Sequence, residues 1–222
     1  MHNVWLIRHG ESEANAGLPT LNPVKTPLTA KGHLQAQQIA SCFTQPPDLI
    51  ITSPYWRTQQ TAQPTRERFP NVPHAEWQVQ EFTYLAPARY EGSTIEERRP
   101  QSDAYWLQND PVYVDGTGAE SFVNLIQRAQ ITHRQICQLE VPYTVIFSHG
   151  RYIRAVLWLL LTQLTHAPAS EINARRMRQF QHFINAFAVP NCSIVKLRVD
   201  NSEVWFSGVE TVHLLEPAPI EV

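Results

Sequence analysis

Arg8-His9-Gly10-Glu11-Ser12, with Asn15 shortly after, stands at the end of the apolar run Val4-Trp5-Leu6-Ile7. A fixed guanidinium beside an imidazole disfavours a second positive charge and keeps the ring neutral. A neutral imidazole is a nucleophile, and the neighbouring arginine attracts an anion such as a phosphate. Two further apolar runs end in polar residues of the same kind. Asp48-Leu49-Ile50-Ile51-Thr52 leads into Ser53-Pro54-Tyr55-Trp56-Arg57, and Tyr143-Thr144-Val145-Ile146-Phe147 leads into Ser148-His149-Gly150.

The elements that must carry these residues can be read from periodicity. Residues 3–8, 48–52 and 143–147 read as buried strands, and 74–80 alternates weakly as a further candidate. Thr29 suits a helix N-cap, and a helical stripe runs to about residue 43. Ser53-Pro54 is expected to open the next helix, with Ser53 as its cap and Pro64 as its kink or end. Residues 82–117, rich in aromatics and prolines, are expected to form loop plus one helix near 94–107. The pattern Phe122, Leu125, Ile126, Ala129, Ile136, Leu139 predicts a long amphipathic helix over 119–139. An apolar helix to about Leu164 and a helical stretch over 169–186, basic on one side, follow. Two alternating runs, 192–199 and 204–209, separated by Asp200-Asn201-Ser202, predict a hairpin.

Strands alternating with helices argue for an α/β fold, a three-layer α/β/α sandwich with a mostly parallel central sheet. In such sheets ligands bind beyond the carboxyl ends of the strands. His9, Ser53 and His149 are all expected at such ends, so three strands would deliver polar residues to one rim.

With 222 residues the chain is long enough for a single domain with a sizeable core. Its net charge of -2 gives no global field for nucleic acid or an anionic membrane, so anion recognition must be local. Cys42, Cys137 and Cys192 are scattered and odd in number, which argues against a disulfide framework or a zinc site. No leader is expected at the N-terminus. The longest apolar run, 155–161, is too short to span a bilayer, so a cytoplasmic location is the expectation.

Leu6-Ile7-Arg8-His9-Gly10-Glu11-Ser12 resembles the signature of the histidine phosphatase superfamily, the phosphoglycerate mutase-like group. The resemblance continues at Pro27-Leu28-Thr29, Gly32, Gln35-Ala36, Ser53-Pro54-Tyr55-Trp56-Arg57-Thr58, Thr61-Ala62, Gly118-Ala119-Glu120-Ser121 and Ser148-His149-Gly150. It implies a phosphoglycerate mutase-like fold over residues 1–222. It also implies metal-independent hydrolysis of a phosphate monoester through a phosphohistidine on His9. Arg8, Arg57, Asn15 and His149 would bind the phosphate, and His149 would also stabilise developing charge. Neither cofactor nor metal is implied, because arginine and histidine supply the positive charge.

The resemblance places the general acid at Glu81, with Glu120 and Glu91 as competitors; Glu120 also reads as a first-turn carboxylate facing the dipole of the long helix. Arg151 could reach a second anionic group on the substrate, or point to solvent. Arg175, Arg176 and Arg178 could belong to a helical lid over 165–187, or form a solvated face. The substrate-facing insertion is expected at 82–117. A small phosphorylated substrate is expected, with nucleic acid and membrane excluded and oligomeric state left open.

Two rival functions share the same residues. A phosphoglycerate mutase-type phosphotransferase would be expected to carry a tryptophan soon after Ser12, where this chain has Glu13-Ala14-Asn15, and a long tyrosine-containing insertion after the general acid. A dead phosphate-binding scaffold would be expected to have lost a nucleophile or an arginine, yet Arg8, His9, Arg57 and His149 are all present.

Overall fold

The computed structural model describes residues 1–201 and 203–214. Ser202, part of the expected hairpin turn, and residues 215–222 lie outside the described residues.

The six strands described are β1 (His2–Arg8), β2 (Leu49–Thr52), β3 (His74–Glu76), β4 (Tyr143–Ser148), β5 (Ile194–Asp200) and β6 (Glu203–Glu210). They form one sheet in the order β3-β2-β4-β1-β5-β6. The pairs β1–β4, β2–β4 and β2–β3 are parallel, and the terminal β5–β6 hairpin adds antiparallel strands against β1. The helices are α1 (Ala30–Ser41), α2 (Trp56–Arg68), α3 (Arg99–Gln108), α4 (Phe122–Cys137), α5 (Gly150–Thr162) and α6 (Ala174–Ala186).

The sheet is covered on both faces because its central strands are apolar on both. Every residue of β4 is buried. The period-2 alternation of a strand sends Leu6, Ile51 and Ile146 into a core with α4, α5 and α6. Their neighbours Ile7, Ile50, Val145 and Phe147 enter a second core with Ile39 of α1 and Ala62 of α2. The result is an α/β/α sandwich. The helix starts are fixed by side chains: Thr29 Oγ1 accepts from Gly32 N at 3.1 Å, and Ser121 and Asn124 form a reciprocal capping box at α4. Such caps contribute about 1 kcal/mol each.

Four expectations need correction. Ser53 does not cap α2; the N-cap is Tyr55, whose N–H donates to Ser53 Oγ at 3.2 Å, and Ser53 is drawn away to His149. Pro64 does not end the helix, because α2 continues to Arg68. The interior proline costs about 3 kcal/mol, offset by burial of Thr61, Ala62 and Thr65 on the same element. The strand expected over 74–80 stops at Glu76, since β2 offers a short edge and the chain then turns toward the sheet rim. Glu120 stands before the N-cap Ser121 and so lies outside the first turn of α4; it pairs instead with Arg128.

Candidate active site

The loop after β1 is pressed onto α1 and α2. A Cβ on Gly10 would stand 2.6 Å from the carbonyl oxygen of Gly32, and one on Gly32 would stand 2.1 Å from that of Glu11. Only glycine permits this approach. Thr61 Oγ1 of α2 accepts from Gly10 N at 2.9 Å, and Asn191 Nδ2 donates to the carbonyls of His9 and Gly10 at 3.0 and 3.1 Å. The backbone that carries His9 is thereby held from three sides.

His9 is buried, 3 % exposed. Its Nδ1 lies 2.7 Å from the carbonyl oxygen of Gly10, and Arg57 Nε donates to its Nε2 at 3.2 Å. A carbonyl can only accept and a guanidinium can only donate. The proton therefore sits on Nδ1 and the lone pair on Nε2. Burial, then the charges of Arg57 and Arg8, hold the ring well below the usual histidine range. It is a neutral, oriented imidazole.

Arg57 is 8 % exposed, its guanidinium 4.9 Å from the centroid of the Tyr55 ring, and it donates to the Pro23 carbonyl at 2.7 Å. Burial lowers it to about 10, so it stays cationic at neutral pH. Arg8 donates to the Val189 carbonyl at 2.6 Å, while its buried Nε has no partner among the described residues. Asn15 is exposed; its Oδ1 accepts from Ser12 Oγ and Asn191 Nδ2 at 3.0 and 3.1 Å, which leaves its amide N–H groups to donate.

The His149 ring centroid lies 5.1 Å from that of His9, edge to face. It is fully buried, and Ser53 Oγ stands 2.7 Å from its Nε2. Its Nδ1 has no partner among the described residues. Burial and then the charge of Arg57 depress its proton affinity too. The cavity lining includes the next residue, Gly150, but not His149 itself, which reaches the site through the ring edge packed on His9.

A cavity of about 390 Å³ opens in front of His9, walled by Arg8, Asn15, Arg57, Glu81 and Arg151 among others. Glu81 is held by backbone donors. Phe82 N and Tyr152 N donate to its Oε1 at 3.0 and 3.2 Å, and Arg151 N to its Oε2 at 3.3 Å. Of the competing acids, Glu120 is taken up by Arg128 Nη2, 2.8 Å from each of its oxygens, and Glu91 is exposed; neither lines the cavity. The segment 82–117 supplies one wall through residues such as Tyr84, Tyr90 and Arg98. No residue of 165–187 does, and Arg175 and Arg178 are exposed.

Asn191 and Arg128 escaped sequence reading, as did the part that Ser53, itself expected at the rim, plays there. Asn191 ties the loops, Ser53 supports His149, and Arg128 of α4 donates to the carbonyls of Gln78 and Gln80 at 2.9 Å each, fixing the segment before Glu81. Ser53 lay inside a recognised block; Arg128 and Asn191 carried no local signal. Among the described residues no group of three or more His, Cys, Asp or Glu could hold a metal ion, and no helix is long and apolar enough to cross a membrane.

A model of the histidine phosphatase superfamily (branch 1) matches residues 4–210. The chain belongs to this superfamily. A probable phosphoglycerate mutase GpmB from Serratia proteamaculans is 42% identical over 98% of this chain and 97% of its own length. An adenosylcobalamin/alpha-ribazole phosphatase from Salmonella typhi is 26% identical over 79% of this chain and 86% of its own. Among solved structures, a phosphoserine phosphatase from Entamoeba histolytica aligns with a TM-score of 0.71 at 24% identity, covering 97% of this chain and all of that one (100%). Its likeness shows the histidine phosphatase fold alone.

Proposed function

We propose that the protein is a metal-independent phosphomonoesterase acting through phospho-His9. The observation that carries this reading is the pair of hydrogen bonds on the His9 ring, which leaves a lone pair on Nε2 beside a cavity rich in arginine. An incoming phosphate replaces that lone pair as the acceptor for Arg57. Arg57 and Arg8 then bind phosphoryl oxygens, each charge-assisted contact contributing about 1.5–3 kcal/mol. Asn15 and His149 add donors to the remaining oxygens.

His9 Nε2 attacks phosphorus in line as the ester P–O bond breaks. The leaving oxygen takes the proton of Glu81, held at the cavity by three backbone N–H groups. Glu81, now a carboxylate, accepts a proton from water. That water attacks phosphorus, the Nε2–P bond breaks, and phosphate leaves. The positive charge needed at each step comes from arginine.

The wild type is expected to hydrolyse an aryl phosphate without loss in EDTA and to be inhibited by vanadate, which takes up five-coordinate geometry. His9→Ala is expected to lose at least about a thousandfold in kcat. An acid-labile phosphoenzyme, trapped with labelled substrate, should vanish in the same variant. Turnover retained in His9→Ala would remove His9 as the nucleophile.

A second reading is favoured by the 42% identical relative named a probable phosphoglycerate mutase. The two activities share the nucleophile and differ in whether the phosphoryl group passes to water or to a second hydroxyl. In a reaction primed with bisphosphoglycerate, isomerisation of phosphoglycerate outpacing phosphate release would put the mutase first.

A further inference from the structure

The cavity in front of His9 is lined by six arginines, Arg8, Arg57, Arg98, Arg99, Arg151 and Arg154, against one carboxylate, Glu81, among the described residues. A phosphate monoester brings about two negative charges, which Arg8 and Arg57 match. Arg99 is ion-paired with Glu96 at 2.7 Å, and Arg154 is spent on the carbonyls at the end of α6, Ile184 among them. Two cations remain. Arg98 lies with its guanidinium 4.4 Å from the centroid of the Tyr90 ring, and its Nη1 donates to the Ser93 carbonyl and to Ser93 Oγ, the latter at 2.9 Å. Arg151 lies 4.8 Å from the centroid of the Tyr84 ring, and no carboxylate among the described residues forms an ion pair with its side chain.

A guanidinium inside a cavity without a direct ion-pair partner keeps donors open to an incoming anion. Burial acts against its charge, but Tyr84, Glu81 and Tyr90 outweigh it and raise Arg151 above its ordinary value, so it stays a cation. The aromatic face fixes the plane of its fork, and a fork held in plane suits a bidentate anion. Arg151 is also two residues past His149, and its own backbone N–H holds Glu81. An anion on Arg151 would therefore sit beside the reacting phosphate, a few bonds away along the substrate.

We propose that Arg151, supported by Tyr84 and by Arg98 on Tyr90, forms a second anion subsite. The substrate is then a small phosphate monoester carrying a carboxylate or a second phosphate close to the ester oxygen. This rests on the phosphomonoesterase reading given above.

The test compares 2-phosphoglycolate with ethyl phosphate, which differ in a carboxylate against a methyl group. The wild type is expected to favour phosphoglycolate by at least about tenfold in kcat/KM, the worth of one charge-assisted contact. Arg151→Gln should bring that ratio within about threefold, and Arg151→Lys, which keeps the charge and loses the fork, should give an intermediate ratio. A ratio within one variant is independent of how much of it folds. A wild-type ratio near one, or a wild-type ratio retained in Arg151→Gln, overturns the subsite. The bisphosphate of ethane-1,2-diol outpacing phosphoglycolate would assign the second group as a phosphate. Calorimetry on His9→Ala separates the two readings. If the wild type hydrolyses neither ester, tighter binding of phosphoglycolate than of ethyl phosphate keeps the subsite and sinks the phosphatase; equal binding sinks the subsite.

Discussion

His149 depends on a hydroxyl to settle which of its nitrogens carries a proton. Ser53 Oγ stands 2.7 Å from His149 Nε2 and 2.9 Å from Thr58 Oγ1, and it accepts from Tyr55 N. Thr58 spends its own proton on the Tyr55 carbonyl at 2.7 Å, so its oxygen is open to accept. Ser53 can thus turn its proton either way, giving His149 one tautomer or the other. A phosphate oxygen requires a donor on the Nδ1 that Ser53 leaves unpartnered, which selects the state in which Ser53 donates to Nε2. Ser53→Ala is expected to lower kcat about tenfold, the usual scale for a group that orients a reacting imidazole. In a His149→Gln background the same change should add nothing. A double-mutant cycle reads this directly, and a full tenfold loss persisting in that background would assign Ser53 a structural role alone.

At the scale of elements, the strands and helices that bury apolar stripes were legible, and the segments bent by distant side chains were not. The start of α1 follows from Thr29, the body of α4 from its apolar stripe although its start at Ser121 was missed, and β1, β2 and β4 from runs apolar on both faces. His9 and Arg57 could be nominated from ordered blocks and Glu81 from its place after the third candidate strand, and the structure brings all three to one cavity. What a local pattern cannot carry is a contact made across the fold. The stretch between β3 and Glu81 leaves the sheet because Ser148 Oγ donates to the Val79 carbonyl at 2.6 Å and Arg128 to those of Gln78 and Gln80. Arg128 also takes both oxygens of Glu120, and its guanidinium lies 4.3 Å from the centroid of the Tyr152 ring. It is a positioning residue for the proposed acid. Arg128→Met should therefore slow an alkyl phosphate, whose leaving oxygen needs a proton, about tenfold more than p-nitrophenyl phosphate, whose leaving group does not. Equal losses on the two esters would mean that Arg128 supports the fold without acting through Glu81.

At the scale of the whole molecule, the cost of keeping two imidazoles neutral inside a cationic cavity must be visible in stability. The chain carries a net charge of -2, so the cavity's positive charge is a local concentration that the rest of the fold tolerates. His9 and His149 both hold their protons far less well than an exposed histidine, chiefly through burial and then through neighbouring positive charge. In the unfolded chain each titrates near about pH 6.5. Below that value the unfolded state takes up protons that the native state refuses, so stability rises with pH across this range. The contribution is fully present above about pH 6.5 and is lost as pH falls toward the depressed native values, at about 1.4 kcal/mol per pH unit for each histidine. Urea unfolding followed from about pH 7 to about pH 5, before carboxylates dominate, measures this slope. His9→Asn and His149→Asn should each flatten it by one proton's worth, because the substituted side chain has no proton to gain on unfolding. His74, which is exposed, and His133, which is buried, are also lowered and remain in every variant, so they cancel in the difference. A slope in either variant parallel to that of the wild type would show that the imidazole is protonated in the folded protein, and a charged His9 has no lone pair with which to attack phosphorus.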